Sequence, residues 1–155
     1  MTAGGARVLH ATGLRLAGHG VLITGPSGSG KSLLALDLLD QFSLRGQEAL
    51  LVADDGVAIA VEADGLTMAA PKSIAGLIEL RGRGIVPMAH ADKARVDLVV
   101  DVVETLDRMP EEAEFATVLA GVAVARCPVP RRGETDPVHQ RLLVLAALRA
   151  LGWPG

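Results

Sequence analysis

Aromatic residues, cysteine and long apolar runs are all scarce in this 155-residue chain. It has two phenylalanines, one tryptophan and no tyrosine, so its core must be built from aliphatic side chains. The one cysteine, Cys127, cannot form an internal disulfide, which is typical of proteins from a reducing compartment. No apolar run is long enough to span a bilayer, and residues 1–5 lack the pattern of a secretory signal. The sequence therefore predicts a cytoplasmic protein that does not associate with a membrane.

The chain also lacks an excess of basic residues. Its 15 lysines and arginines are outnumbered by 18 acidic residues, for a net charge of −3. Nucleic-acid-binding domains usually carry a basic surface, so we expect no nucleic-acid partner. Half of the residues are apolar, and no repeat, low-complexity tract or linker interrupts them. Residues 1–155 therefore read as one domain that is large enough to bury a core.

One motif dominates what is present: residues 25–32 fit the phosphate-loop pattern G-x-x-x-x-G-K-[ST] at every fixed position. An apolar, β-rich run precedes the motif and a strong helix-forming run follows it, in the order that such a loop requires. We expect Lys31 to reach the outer phosphates of a nucleotide and the Ser32 hydroxyl to hold Mg²⁺. The predicted nucleotide-binding residues are Gly25, Pro26, Ser27, Gly28, Ser29, Gly30, Lys31 and Ser32.

A second candidate site follows the apolar run 49–53. Asp54 and Asp55 close this predicted strand, and ligands in α/β sheets bind beyond the carboxyl ends of strands. An acidic residue there can orient Mg²⁺ in phosphate-loop proteins. Neighbouring strand residues point to opposite faces, so the two aspartates differ in role. The sequence leaves open which of them faces the nucleotide.

Several elements follow from local patterns. Strands are predicted at residues 7–12, 21–24, 96–103 and 120–127, and helices at 31–43, 71–78 and from Pro137 to about residue 151, with Asp136 as its N-cap. Asp64-Gly65 predicts a hairpin turn, which makes the sheet mixed. Residues 79–87 and 90–95 read as polar loops. In the first of these loops, Glu79 is a candidate metal ligand.

Arginines in two of the predicted loops are candidate contacts for phosphate or for a partner protein, because guanidinium groups pair well with phosphate and carboxylate. They are Arg81, Arg83, Arg131 and Arg132.

Taken in order, these motifs resemble the catalytic domain of the HPr kinase/phosphorylase family. The resemblance rests on His10-Ala11-Thr12, the phosphate loop, Asp54-Asp55, the sequence E-L-R-G-R-G-I at residues 79–85, similar to the family's E-I-R-G-x-G-I, and Asp107-Arg108. It implies an α/β fold with a mixed β-sheet flanked by helices, of the phosphoenolpyruvate carboxykinase-like phosphate-loop type. The chain is similar to the short alphaproteobacterial form, which lacks the N-terminal domain.

The resemblance also implies a function. An enzyme of this family uses ATP and Mg²⁺ to phosphorylate a serine on an HPr-like phosphocarrier of a phosphotransferase system, and other phosphotransferase or two-component proteins are further candidate partners. The catalytic residues it implies are His10, Lys31, Arg108 and one of Asp54 and Asp55, with Ser32 and Glu79 on the metal. It implies a homo-oligomer, a hexamer in the family. Residues 128–133 depart from the family's P-V-R-P-G-R, so the reverse phosphorolytic activity has less support than the kinase activity.

Two other functions are compatible with a phosphate loop. One is a small-molecule kinase or ATPase that shares only this loop with the family. The other is a nucleotide-binding regulator without kinase activity, which the altered residues 128–133 would suit.

Overall fold

The structure, a computed structural model, describes residues 7–71, 75–133 and 137–155. The described residues form strands, two α-helices and a short 3₁₀ helix at Glu112–Phe115. In chain order the elements are β1 (Arg7–Leu9), β2 (Thr12–Leu16), β3 (His19–Thr24), α1 (Lys31–Leu44), β4 (Ala49–Ala53), β5 (Val57–Glu62), β6 (Gly65–Ala69), β7 (Leu77–Leu80), β8 (Gly84–Pro87), β9 (Lys93–Arg95), β10 (Leu98–Val103), β11 (Ala116–Leu119), β12 (Val122–Pro130) and α2 (Pro137–Ala150).

The main sheet has six strands in the order β11-β12-β10-β3-β2-β4. Strands β3, β10 and β12 are parallel, whereas β2 is antiparallel to both β3 and β4, and β11 is antiparallel to β12. The predicted mixed α/β sheet is confirmed. Because β3, β10 and β12 run the same way, the segments that follow them emerge at one edge of the sheet.

A four-stranded antiparallel sheet, in the order β1-β5-β6-β9, covers one face of the main sheet. Side chains alternate along each strand, so β3 sends Val21 and Ile23 into the core under the helices and Leu22 into the core under this second sheet. The two sheets approach closely at Gly20, where an added Cβ would lie 1.5 Å from the carbonyl oxygen of Arg95. Only glycine fits at this crossing.

The hairpin predicted at Asp64-Gly65 is present as β5 and β6, and helix α1 begins at the predicted residue. Three other predictions were wrong. Residues 77–78 of the expected helix 71–78 belong to strand β7, and residues 79–87 belong to a β7–β8 hairpin rather than a loop. Residues 90–95, expected as a loop, contain β9. Strand pairing across the chain overrode the weak local patterns in these segments.

Strand β11 was not predicted, and residues 7–12 divide between β1 and β2, which lie in different sheets. Strand β12 extends to Pro130, beyond the predicted end at residue 127. The predicted N-cap Asp136 and residues 72–74 lie outside the described residues. No helix in the described ranges combines the length and the apolar character needed to cross a bilayer.

Candidate active site

The phosphate loop, residues 25–30, joins β3 to the first residue of α1, Lys31. The helix therefore directs its N-terminal N–H groups and its partial positive charge toward the loop, where an anion is stabilised. Lys31 is buried, and its Nζ donates hydrogen bonds of 3.0 Å to the carbonyl oxygens of Gly25 and Pro26. These two hydrogen bonds hold the buried Lys31 side chain against the loop.

The segment after β12 lies directly behind this loop. The Arg132 N–H donates a 3.3 Å hydrogen bond to the Ser29 carbonyl oxygen. Gly30 has φ +96°, and an added Cβ there would lie 2.9 Å from the Cβ of Arg132, so glycine is needed on both counts. The Ser29 hydroxyl is buried without a hydrogen-bond partner among the described residues. An unpaired buried donor of this kind fits a loop that accepts an anionic oxygen.

Asp54 is the centre of a hydrogen-bonded cluster. Its Oδ1 accepts hydrogen bonds from the hydroxyls of Ser32, at 2.7 Å, and Thr12, at 3.0 Å. Its Oδ2 accepts a longer bond of 3.4 Å from the backbone N–H of Glu79. Only 7% of Asp54 is exposed. The cluster joins the phosphate loop, strand β2, the end of β4 and the β7–β8 hairpin.

Asp55, unlike Asp54, lies on the surface of the protein. Its side chain is 74% exposed, and its backbone takes the left-handed conformation, with φ +61°. His10 contacts it twice, through Nε2, 3.3 Å from Oδ1 of Asp55, and through Nδ1, 3.1 Å from the Asp55 carbonyl oxygen. The pair His10–Asp55 therefore lies on the surface beside the buried Asp54 cluster.

These groups surround a cleft of about 850 Å³, which is the size expected for a nucleotide-sized ligand. Its lining combines the phosphate loop, the two aspartates and one side of the β7–β8 hairpin. The lining residues are Thr12, Ser27, Gly28, Gly30, Lys31, Ser32, Leu33, Asp54, Asp55, Leu77, Ile78, Glu79, Arg81, Ile85 and Arg132.

The arginines singled out in the sequence are not equivalent. Arg81 and Arg132 line the cleft, whereas Arg83, Arg108 and Arg131 do not. Arg131 lies 3.4 Å from the carboxylate of Glu104. Arg108 is exposed on the segment after β10 and forms no hydrogen bond or ion pair with the described residues. Its segment leaves the same sheet edge as the phosphate loop, but the structure does not bring the arginine into the cleft.

The oxygen donors in the cleft fit a magnesium ion. The Ser32 hydroxyl and Asp54 Oδ1 are 2.7 Å apart, and Glu79 lines the same cleft. Mg²⁺ prefers oxygen ligands and is usually held by one or two carboxylates together with phosphate oxygens. Within the described ranges, no group of three or more His, Cys, Asp or Glu side chains is arranged to hold a metal unaided. The site therefore suits a metal that arrives with a nucleotide.

Comparison with known proteins decides the family. The HPr Serine kinase C-terminal domain family matches residues 4–136. This chain belongs to that family. The resemblance found from the motifs is therefore confirmed, as is the correspondence to the C-terminal domain.

Individual members of the family agree. The HPr kinase/phosphorylase of Lacticaseibacillus casei is 30% identical over 155 residues, which cover 95% of this chain and 46% of that protein. The Geobacillus thermodenitrificans protein of the same name is 39% identical over 128 residues, which cover 74% of this chain and 39% of that protein. This family member thus spans less than half the length of these curated relatives. The solved Hpr(Ser) kinase/phosphatase from Coxiella burnetii matches it with a TM-score of 0.72 and 27% identity, covering 94% of this chain and 93% of that chain.

The site of this HPr kinase-family domain includes residues that sequence reasoning missed. The Thr12 hydroxyl is buried against Asp54, and the sequence motif His10-Ala11-Thr12 had given this threonine no role. Asp101, in β10, accepts a 3.2 Å hydrogen bond from the hydroxyl of Thr24 just before the phosphate loop, and it pairs with Arg126 at 2.8 Å. No local pattern links positions so far apart in the chain.

Proposed function

We propose that this domain transfers the γ-phosphoryl group of ATP, with Mg²⁺, to a serine hydroxyl of an HPr-like phosphocarrier protein. One observation carries the proposal: Asp54 is hydrogen-bonded both to Ser32 of the phosphate loop and to the backbone of Glu79 in the E-L-R-G-R-G-I hairpin. Any nucleotide held by the loop therefore has a fixed carboxylate beside it. Family membership and the names of the relatives support HPr as the acceptor.

The phosphate loop and Lys31 would hold the phosphates. For this, the Lys31 ammonium must exchange its bonds to the Gly25 and Pro26 carbonyls for phosphate oxygens. Ser32 and Glu79 would hold Mg²⁺, which when bound neutralises charge on the phosphates. Arg81 and Arg132, which line the cleft, are the described guanidinium groups best placed to stabilise the charge of the transferred phosphoryl group.

Asp54 is our candidate for the general base. Its Oδ2 makes only the long contact to the Glu79 N–H and so keeps capacity to accept the serine proton. As the serine oxygen bonds to the γ-phosphorus, its proton passes to Asp54, the bond from the γ-phosphorus to the bridging oxygen breaks, and ADP leaves. His10 and Asp55, at the surface beside Asp54, would position the incoming carrier hydroxyl.

Four further predictions belong to this proposal. In the reverse direction the same carboxylate would activate inorganic phosphate against phosphoserine. Assembly into a homo-oligomer, a hexamer by family resemblance, and a cytoplasmic location also remain predictions. Arg108 would join the site only if its segment moved or a neighbouring subunit placed it there.

The test is phosphoryl transfer from labelled ATP, with Mg²⁺, to the HPr-like carrier of the same genome. Lys31→Ala should lower the rate at least about 100-fold, because the outer phosphates lose their fixed cation. Lys93→Ala is the matched control, since Lys93, in β9, pairs with Glu62, in β5, and does not line the cleft. Thermal melts establish that both variants fold.

Three outcomes would contradict the proposal. Wild-type turnover of ATP that needs no protein acceptor would instead favour a small-molecule kinase or ATPase. Nucleotide binding without transfer to any carrier would favour a regulator. Equal transfer by wild type and Lys31→Ala would show that the phosphate loop is not the catalytic site.

A further inference from the structure

The β7–β8 hairpin has an inner and an outer face of opposite character. Strand pairing sets Ile78 opposite Val86 on the inner face, where Ile78 is 1% exposed and belongs to the main core. On the outer face Leu77 is 40% and Ile85 is 63% exposed. Two large apolar side chains therefore remain in solvent on a short two-stranded sheet.

This outer face adjoins the catalytic cluster. Leu77 and Ile85 line the cleft, and Glu79, directly opposite Ile85 in the hairpin register, donates its backbone N–H to Asp54. A protein seated on the hairpin would thus have its surface next to the carboxylate that we propose as the base. A small acceptor has no need of large apolar side chains that are exposed to solvent.

The turn of the hairpin carries positive charge. Arg81 and Arg83 are exposed, and their side chains form no ion pair or hydrogen bond with the residues the structure describes. Arg81 lines the cleft, whereas Arg83 does not. The guanidinium of Arg83 is therefore available to a partner, although the chain as a whole carries a net charge of −3.

We propose that the outer face of the hairpin, with Leu77 and Ile85, together with Arg83 in its turn, is the docking surface for the protein acceptor. The occupant is a folded protein that presents its serine beside apolar side chains and at least one carboxylate. The apolar side chains would pack against Leu77 and Ile85, and the carboxylate would pair with the guanidinium of Arg83. The inference rests on the proposed function and specifies how the acceptor is recognised. It separates the roles of Arg81, in the cleft, and Arg83, on the partner surface.

The test compares Ile85→Thr and Arg83→Glu with the wild-type protein. Thr keeps the β-branched shape that suits a strand, and both positions are exposed, so both variants should fold. Val118→Thr is the matched control, because Val118 is a 69% exposed strand residue on β11 and does not line the cleft. The measurements are KM and kcat for the HPr-like carrier, the Kd of the carrier in the presence of a non-hydrolysable ATP analogue, and the Kd of that analogue alone.

We expect each hairpin variant to raise KM and Kd for the carrier about tenfold, as loss of an interface anchor does. For Arg83→Glu the analogue Kd should stay within about twofold, because Arg83 does not line the cleft, and for Ile85→Thr it should change less than the carrier Kd. The defect of Arg83→Glu should shrink in high salt, which screens exposed charges, whereas that of Ile85→Thr should persist. Val118→Thr should match the wild type.

Several results would overturn the docking surface. Unchanged carrier KM and Kd in both variants would do so while leaving the kinase proposal intact. Analogue binding weakened as much as carrier binding would place the hairpin in the nucleotide site. If the wild-type protein bound the carrier no more tightly than the hairpin variants and transferred no phosphoryl group, both proposals would be refuted. If carrier binding depended on the hairpin but no phosphoryl group were transferred, only the kinase proposal would be refuted.

Discussion

The hydroxyl of Ser32 donates a 2.7 Å hydrogen bond to Oδ1 of Asp54, which closes β4. The bond joins the first turn of the helix that follows the phosphate loop to the acidic end of a strand at the edge of the main sheet. A buried carboxylate with two hydroxyl donors is fixed in place, because leaving either partner unsatisfied carries a desolvation cost. The loop and the candidate base therefore form one rigid unit.

The two neighbouring aspartates should respond differently to removal of their charge. We expect Asp54→Asn to lower the rate of transfer to the carrier by about 10²- to 10⁴-fold, the usual contribution of a general base. Asp55→Asn should lower it less than about tenfold, because Asp55 is exposed and contacts only His10 among the described residues. Single-turnover assays at saturating ATP distinguish the two. A larger defect in Asp55→Asn would assign the base to Asp55 instead.

Two loop glycines offer a second matched comparison. Gly28 and Gly30 both have positive φ, so alanine at either costs about 1–2 kcal/mol of backbone strain. At Gly28 an added Cβ meets open space, but at Gly30 it would lie 2.9 Å from the Cβ of Arg132. Gly30→Ala should therefore lower the Tm further than Gly28→Ala and weaken ATP binding at least about tenfold. Equal effects in calorimetry would show that the contact with Arg132 is not a constraint.

Cys127 should be inert toward thiol reagents in the folded protein. Burial raises the pKa of this thiol from 9.0 to about 12, with a small opposing effect from Arg126. The thiolate is the reactive form, so at pH 8 its population falls about 10³-fold relative to an exposed thiol. Labelling with Ellman's reagent should be slow in buffer and rapid in denaturant. Rapid labelling of the native protein would mean that β12 and α2 separate readily, since the thiol lies 3.4 Å from the Leu143 carbonyl oxygen.

The Arg15–Glu48 pair predicts part of the acid sensitivity of the fold. The hydrogen bonds from Arg15 hold the pKa of Glu48 below its ordinary value of 4.5. A carboxyl whose pKa is lowered on folding stabilises the protein above pH 4.5, and this contribution is lost as the pH falls through the folded pKa. About a third of each side chain is exposed, so we expect only about 0.5–1 kcal/mol.

Glu48→Gln tests this expectation. The difference in free energy of unfolding between wild type and Glu48→Gln should be present near pH 7 and vanish toward pH 3 in denaturant titrations at low salt. Glu112→Gln, at an exposed glutamate whose side chain forms no hydrogen bond or ion pair with the described residues, serves as the control. A constant difference across the pH range would assign the effect to packing rather than charge.

Local patterns were sufficient for part of the fold and of the site. The phosphate loop and the start of α1 follow from glycine spacing and helix propensity, and the β5–β6 hairpin follows from Asp64-Gly65. These features depend on residues that are neighbours in the chain. The hairpin at residues 77–87 was missed because its strands are short and their pairing, with Ile78 in the core, outweighs any local preference.

The sequence by itself determined the phosphate loop, the acidic strand end and, through the order of its motifs, the family. Only the tertiary structure decided which aspartate is buried against Ser32, which arginines reach the cleft, and that Thr12 belongs to the cluster. The physical reason is the separation of the interacting residues along the chain. Motifs record backbone geometry over a few residues, whereas a hydrogen bond between residues 42 positions apart, such as that from Thr12 to Asp54, exists only once strand order and register have brought them together.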